Sequence, residues 1–145
     1  MERIDYRKYG RDAFDLLGKL SQLGKKSSLG PVLVELVKLR ASQINHCAHC
    51  VNMHANLLRK EEESEERIQS VIVWDEAKCF SAREKAALAW TESVTLVADT
   101  GVPDAVYERA RGQFSEQEMV DLTLAITTIN MHNRLAVAFR RVPGS

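Results

Sequence analysis

The chain has 145 residues, and its 45% hydrophobic and 28% charged content is typical of a soluble globular protein. Lys and Arg together number 20, as do Asp and Glu, so the net charge is zero and no basic surface for nucleic acid is expected. The first residues contain no apolar signal region, and no run of about 18 apolar residues predicts a membrane helix. We therefore expect one cytoplasmic domain over residues 1–145, without a nucleic-acid or membrane partner.

Helical periodicity predicts an all-α fold, a compact bundle of six or seven helices, and no stretch alternates like a strand. Residues 1–9 are expected to be an irregular lead-in, residues 24–30 a loop, and residues 75–80 a connection that contains Cys79. The predicted helices, with approximate ends, are residues 11–23, 31–43, 48–60, 64–74, 81–98, 103–112 and 115–140.

Local signals mark several of these helix starts. Pro31 is suited to the first turn of the second helix, where its missing N–H is not needed. The stretches 81–84 and 115–118 each carry serine followed three residues later by glutamate, which is the capping-box pattern. Ser64 precedes an acidic first turn and is a possible cap of the fourth helix.

The most informative stretch is residues 35–54, in which a glutamate precedes a Cys-x-x-Cys pair and two histidines. If the segment after Cys47 is helical, Cys47, Cys50 and His54 share one stripe, and His49 is rotated about 100° from it. Cys47 would begin the helix, where unpaired N–H groups and the macrodipole favour a thiolate. Cys47 is therefore expected to be a more acidic thiol than Cys50.

Glu35 joins this group if the second and third helices form an antiparallel hairpin. Glu35 then lies about 12 Å before the turn and His54 about 10 Å after it, so the two side chains are roughly level. A carboxylate, an imidazole and two thiols would converge between the helices. Such a set is suited to proton transfer to and from a cysteine pair.

Other interpretations of the cysteine pair fit less well. Haem attachment needs histidine directly after the second cysteine, and position 51 is valine. A zinc site would need a fourth ligand from His49, Cys79 or His132, and no second Cys-x-x-Cys exists. A structural disulfide is not expected in a reducing compartment. A redox dithiol accounts best for the residues, although the βαβ context of thioredoxin is missing.

The glutamate twelve residues before Cys-x-His-Cys-x-x-x-His resembles the AhpD-like alkyl hydroperoxidase family, within the carboxymuconolactone decarboxylase superfamily. In this chain the motif comprises Glu35, Cys47, His49, Cys50 and His54. Weaker similarity in residues 84–90 and 114–134 extends the resemblance over roughly residues 10–140. It implies an all-helical protomer, assembly into trimers or hexamers, and a peroxidase that uses the cysteine pair.

The resemblance also implies roles for these residues. Cys50 would attack the peroxide after deprotonation through Glu35 and His54, and His49 would assist the relay. Cys47 would resolve the sulfenic acid, and we expect it to be exposed for exchange with a reducing partner. The family assignment of Cys50 is retained over the dipole argument for Cys47, because a base aimed at a buried thiol can outweigh the dipole.

The resulting hypothesis is a peroxidase that reduces alkyl hydroperoxides and requires no bound cofactor or metal. A dithiol, thioredoxin-like or lipoyl partner would restore the thiols. A disulfide oxidoreductase or redox sensor using the same pair is the first alternative. A decarboxylase of the same superfamily is another, but that branch does not depend on a cysteine pair.

Overall fold

The computed structural model describes residues 1–144, which form nine α-helices and one 3-10 helix and contain no β-strand. None of these helices is both long and apolar enough to cross a membrane. The helices are α1 (Tyr6–Tyr9), α2 (Arg11–Lys26), α3 (Pro31–Ile44), α4 (Ala48–Lys60), α5 (Glu65–Ser70), α6 (Ala82–Thr95), α7 (Val97–Thr100), α8 (Asp104–Arg111) and α9 (Glu116–Ala138), with the 3-10 helix at Val71–Val73.

The all-α prediction is confirmed. Each of the seven predicted helices is present, but the helix expected at residues 64–74 continues as a 3-10 helix from Val71, and the helix expected at residues 81–98 ends at Thr95. Two additional helices, α1 and α7, have only four residues each. Helix α1 lies in the segment that was expected to be an irregular lead-in. The expected loop at Gly24 is wrong, because α2 continues to Lys26. A Cβ at Gly24 would lie 4.0 Å from that of Ala125 on α9, so the helix is packed closely at this point.

Helix α3 lies at the centre of the fold. Its residues Val34, Leu36 and Val37 are fully buried, and Leu39 is nearly so. A helix that is apolar on all sides is expected to be surrounded by other helices. Accordingly, α3 packs against α2, α4, α6 and α9.

Two apolar clusters fill the space around α3. One joins α3 to α6, α8 and α9, and the other joins α3 to α4, α5, the 3-10 helix and α6.

Both predicted capping boxes are formed: the hydroxyls of Ser81 and Ser115 accept hydrogen bonds from the backbone N–H of Glu84 and Glu118. Each glutamate accepts in return from the serine N–H, which fixes where α6 and α9 begin.

The turn between α3 and α4 is held against α9 by amide side chains. Nδ2 of Asn45 donates to Oδ1 of Asn130 at 2.9 Å and to Oδ1 of Asn133 at 3.0 Å. Nδ2 of Asn133 donates to the Ser42 hydroxyl at 3.0 Å. This network fixes the start of α4 relative to two other helices.

Candidate redox site

The cysteine pair stands at the start of α4, as predicted. Cys47 is the N-cap, and the backbone N–H of Cys50 donates to its Sγ over 3.3 Å. The two side chains are joined in a disulfide, with their Cα atoms 5.3 Å apart. In the reduced protein the same N–H would stabilise a Cys47 thiolate, as expected for a thiol at the start of a helix.

The expected exposure of Cys47 is wrong. Cys47 and Cys50 are each only 2% exposed, and they pack with Ala136 from α9. Cys47 is buried by a helix nearly ninety residues further along the chain, so the sequence around Cys47 does not predict its burial. A large reducing partner therefore reaches these sulfurs only after a local opening.

Glu35 and His54 meet between α3 and α4, as the antiparallel hairpin predicts. Oε2 of Glu35 lies 2.6 Å from Nδ1 of His54, and the residues are 1% and 3% exposed. His54 follows Cys50 by four positions, so the two side chains are neighbours on one face of α4. Nε2 of His54 is buried and has no hydrogen-bond partner within residues 1–144.

The surroundings of this pair favour a charged glutamate and a neutral histidine. Burial alone would raise the pKa of Glu35, but the hydrogen bond and charge of His54 and two nearby lysines lower it overall. Burial lowers the pKa of His54, and the interactions with Glu35 only partly oppose this change. At neutral pH, Nδ1–H of His54 therefore donates to the carboxylate, and Nε2 is an acceptor.

Two lysines beside Glu35 were missed in the sequence. Nζ of Lys25 lies 3.2 Å from Oε1 of Glu35, and Lys38 is 4% exposed one helical turn after Glu35. Burial lowers the pKa of Lys38, opposed by the charge of Glu35. The three-residue spacing of Glu35 and Lys38 was a usable signal. Lys25 was hidden because its segment was expected to be a loop.

His49 faces a different part of the chain from the Glu35–His54 pair. Its Nδ1–H donates to the carbonyl oxygen of Val142 at 3.1 Å, and the residue is buried. Burial, followed by the charge of Arg141, lowers its pKa. The predicted role of His49 in the relay is therefore not accompanied by a hydrogen bond to Glu35 or His54.

The remaining histidine and cysteine that could have completed a zinc site lie elsewhere. His132 packs edge-on to the Phe14 ring, with centroids 5.5 Å apart, and burial is the main cause that lowers its pKa to about 4. Cys79 is a free, half-buried thiol in the connection before α6. Across the described residues, no three His, Cys, Asp or Glu side chains gather where they could hold a metal ion. The zinc alternative therefore gains no support from the geometry.

Fold and site together define an all-helical protein with a Cys-x-x-Cys pair at a helix start beside a buried Glu–His pair. The model of the carboxymuconolactone decarboxylase family matches residues 11–93. The uncharacterised protein YdfG of Bacillus subtilis is 37% identical over 137 residues, which is 94% of this chain and 93% of YdfG. The chain therefore belongs to the carboxymuconolactone decarboxylase family.

Solved structures show similarity to AhpD-like proteins in particular. A protein of unknown function from Agrobacterium tumefaciens, described as a candidate antioxidant defence protein AhpD, superposes with a TM-score of 0.95 and 40% identity over 100% of this chain and 99% of that one. A peroxidase-related protein with an alkylhydroperoxidase AhpD core from Ralstonia eutropha has a TM-score of 0.84 at 22% identity, over 97% and 75% of the two chains, and shows the shared fold. The resemblance to the AhpD-like proteins is thus confirmed. An oxidoreductase role in antioxidant defence is consistent with the family and with the Cys47–Cys50 pair.

Proposed function

We propose that the chain is a thiol-dependent peroxidase that reduces alkyl hydroperoxides in antioxidant defence. The observation that carries this proposal is the buried Glu35–His54 hydrogen bond, one helical turn from Cys50 of the disulfide pair. A structural disulfide has no need of a buried carboxylate and imidazole, whereas a thiol that must lose and return a proton does.

The first step is the attack of the Cys50 thiolate on the O–O bond. Nε2 of His54 takes the thiol proton, and the Glu35 carboxylate stabilises the imidazolium through Nδ1–H. The sulfur loses two electrons and becomes a sulfenic acid, and the O–O bond breaks. The leaving alkoxide takes the proton from His54 and departs as an alcohol.

The second step restores a closed pair. The Cys47 thiol attacks the Cys50 sulfenic acid, a disulfide forms and water leaves. The backbone N–H of Cys50 that contacts Cys47 favours the thiolate needed for this attack. A dithiol of the thioredoxin-like or lipoyl kind then reduces the disulfide and is itself oxidised to a disulfide.

The test begins with fully reduced, metal-free protein and one equivalent of cumene hydroperoxide. We expect two of the three thiols to disappear, with a Cys47–Cys50 disulfide found by peptide mapping and intact mass. Cys50→Ser should abolish peroxide consumption, and Cys47→Ser should react once and retain one oxygen atom on Cys50. Cys79→Ser is the matched control and should behave like the parent protein.

Normal peroxide consumption by Cys50→Ser would rule out this mechanism. A disulfide oxidoreductase would instead show slow loss of thiols with peroxide and rapid exchange with a disulfide-bonded protein. Unchanged thiols in a protein that unfolds when a metal is removed would identify a zinc clamp.

A further inference from the structure

Lys38 is a buried cation that the peroxidase steps do not use. It lies on the same face of α3 as Glu35, but both carboxylate oxygens of Glu35 are already approached by other groups, Lys25 at Oε1 and His54 at Oε2. Within the described part of the chain, Nζ of Lys38 makes no hydrogen bond or close ion pair of its own. The charge of Glu35 acts on Lys38 as well, but Lys25 shares it, so two lysines stand beside a single carboxylate.

A cavity of about 340 Å³ lies beside Lys38, between α2, α3 and α9. Its volume is at the lower end of the range for sites that bind small molecules, roughly 300–1,000 Å³. Leu20 and Leu23 of α2 and Leu124 of α9 form an apolar wall, and all three are partly open to solvent. The cavity therefore combines an apolar wall with one buried positive charge.

The other charged residues that line the cavity are Lys26 and Asp121. Their charges offset each other, which leaves the positive charge of Lys38, opposed only by the carboxylate of Glu35 that Lys25 shares. Three residues with hydroxyl groups also line the cavity: Ser27 and Thr128 donate to the carbonyl oxygens of Gly24 and Leu124, and Ser21 is the third. The lining thus favours a ligand with a single negative charge over a cation or a neutral polar molecule.

We propose that this cavity binds a small monocarboxylate with an apolar chain, whose carboxylate pairs with Lys38. The ligand carboxylate supplies a counter-ion that Lys38 does not share with Lys25, and the chain removes Leu20, Leu23 and Leu124 from water. Neither cysteine lines the cavity, so binding can be tested without peroxide.

Calorimetric titration of the oxidised protein with octanoate at neutral pH tests the site. Octanoate should bind at least about tenfold more tightly than octanol, because only octanoate can form a charge-assisted hydrogen bond to Lys38. Acetate should bind more weakly than octanoate because it lacks the chain. Lys38→Met should weaken octanoate binding about tenfold or more, and Lys60→Met, an exposed lysine at the end of α4, should not.

Asp121→Asn provides a second variant that leaves Lys38 in place. Removing this carboxylate from the cavity lining should tighten octanoate binding, because it removes a repulsion. The proposal is overturned if the parent protein does not bind octanoate, which is the result expected if a second copy of the chain covers the cavity. It is equally overturned if octanol binds as tightly as octanoate, if folded Lys38→Met binds octanoate unchanged, or if Asp121→Asn does not tighten binding.

Discussion

Glu35 lies between the redox pair and the cavity, and its two carboxylate oxygens have different partners. Oε2 orients His54, and Oε1 is the counter-ion of Lys25. Because both interactions need the ionised form, they lower the pKa of Glu35 against the opposing effect of its burial. The carboxylate in turn determines which nitrogen of His54 faces the reaction.

Glu35→Gln should therefore change both the rate of peroxide reduction and its pH dependence. The amide oxygen still accepts from Nδ1–H of His54, but the lost negative charge leaves burial and the lysines to lower the pKa of His54 further below its usual value of 6.5. A base with a lower pKa is weaker, so the rate at neutral pH should fall about tenfold or more. Since His54 acts only when neutral, the decline of the rate in acid should move to lower pH.

Stopped-flow measurement of thiol loss from pH 4 to 8 would show both effects. Glu66→Gln is the control, because Glu66 is an exposed glutamate on α5. A Glu35→Gln variant with the parent rate and the parent pH profile would remove Glu35 from the proposed relay.

At the scale of the secondary structure, the hairpin of α3 and α4 brings the site together. Its geometry depends on a three-residue turn in which His46 has a positive φ of 54°. Such a conformation is unfavourable for a residue with a side chain, so the turn relies on contacts with the rest of the protein. The two hydrogen bonds from Asn45 to α9 are the contacts best placed to supply this support.

Asn45→Ala should lower the free energy of unfolding by about 1–3 kcal/mol, because Oδ1 of Asn133 loses its donor in a largely buried region, whereas Oδ1 of Asn130 keeps a donor in Arg134. Urea unfolding of the oxidised protein measures the change. Asn52→Ala, at an exposed position on α4, should alter the free energy of unfolding by no more than about 0.5 kcal/mol. Equal destabilisation by the two substitutions would show that the Asn45 network does not support the turn.

The predictable elements were those determined by local sequence. The capping boxes at Ser81 and Ser115 could be identified because donor and acceptor are three residues apart. The meeting of Glu35 and His54 followed from helix rise once the two helices were taken to form an antiparallel hairpin. The burial of Cys47 under α9 could not be inferred, and neither could the contacts of Asn45 with Asn130 and Asn133, because they join segments far apart in the chain.

At the scale of the whole molecule, several large apolar side chains of α2 and α9 remain exposed to solvent. Leu16 of α2 is about two-thirds exposed, and Val120 and Met131 of α9 are more than half exposed. With no net charge to keep copies apart, these residues favour self-association. Together with the family resemblance, they support our proposal that the protein is a homo-oligomer of three or six chains.

Light scattering coupled to size exclusion should therefore give three or six times the chain mass of 16.3 kDa. The mass should be the same for reduced and oxidised protein, because the buried cysteines lie within one chain. A mass of one chain over a tenfold range of concentration would contradict the oligomer proposal.

The three-residue separation of Cys47 and Cys50 determines how little the fold depends on the bond between them. A cross-link stabilises a fold chiefly by restricting the unfolded chain, and this restriction grows with the length of the loop that is closed. The loop closed here joins residues only three apart, so the bond restricts the unfolded chain very little. Because the helices around the pair are held by the apolar clusters on both sides of α3, we expect the same architecture whether the bond is closed or open.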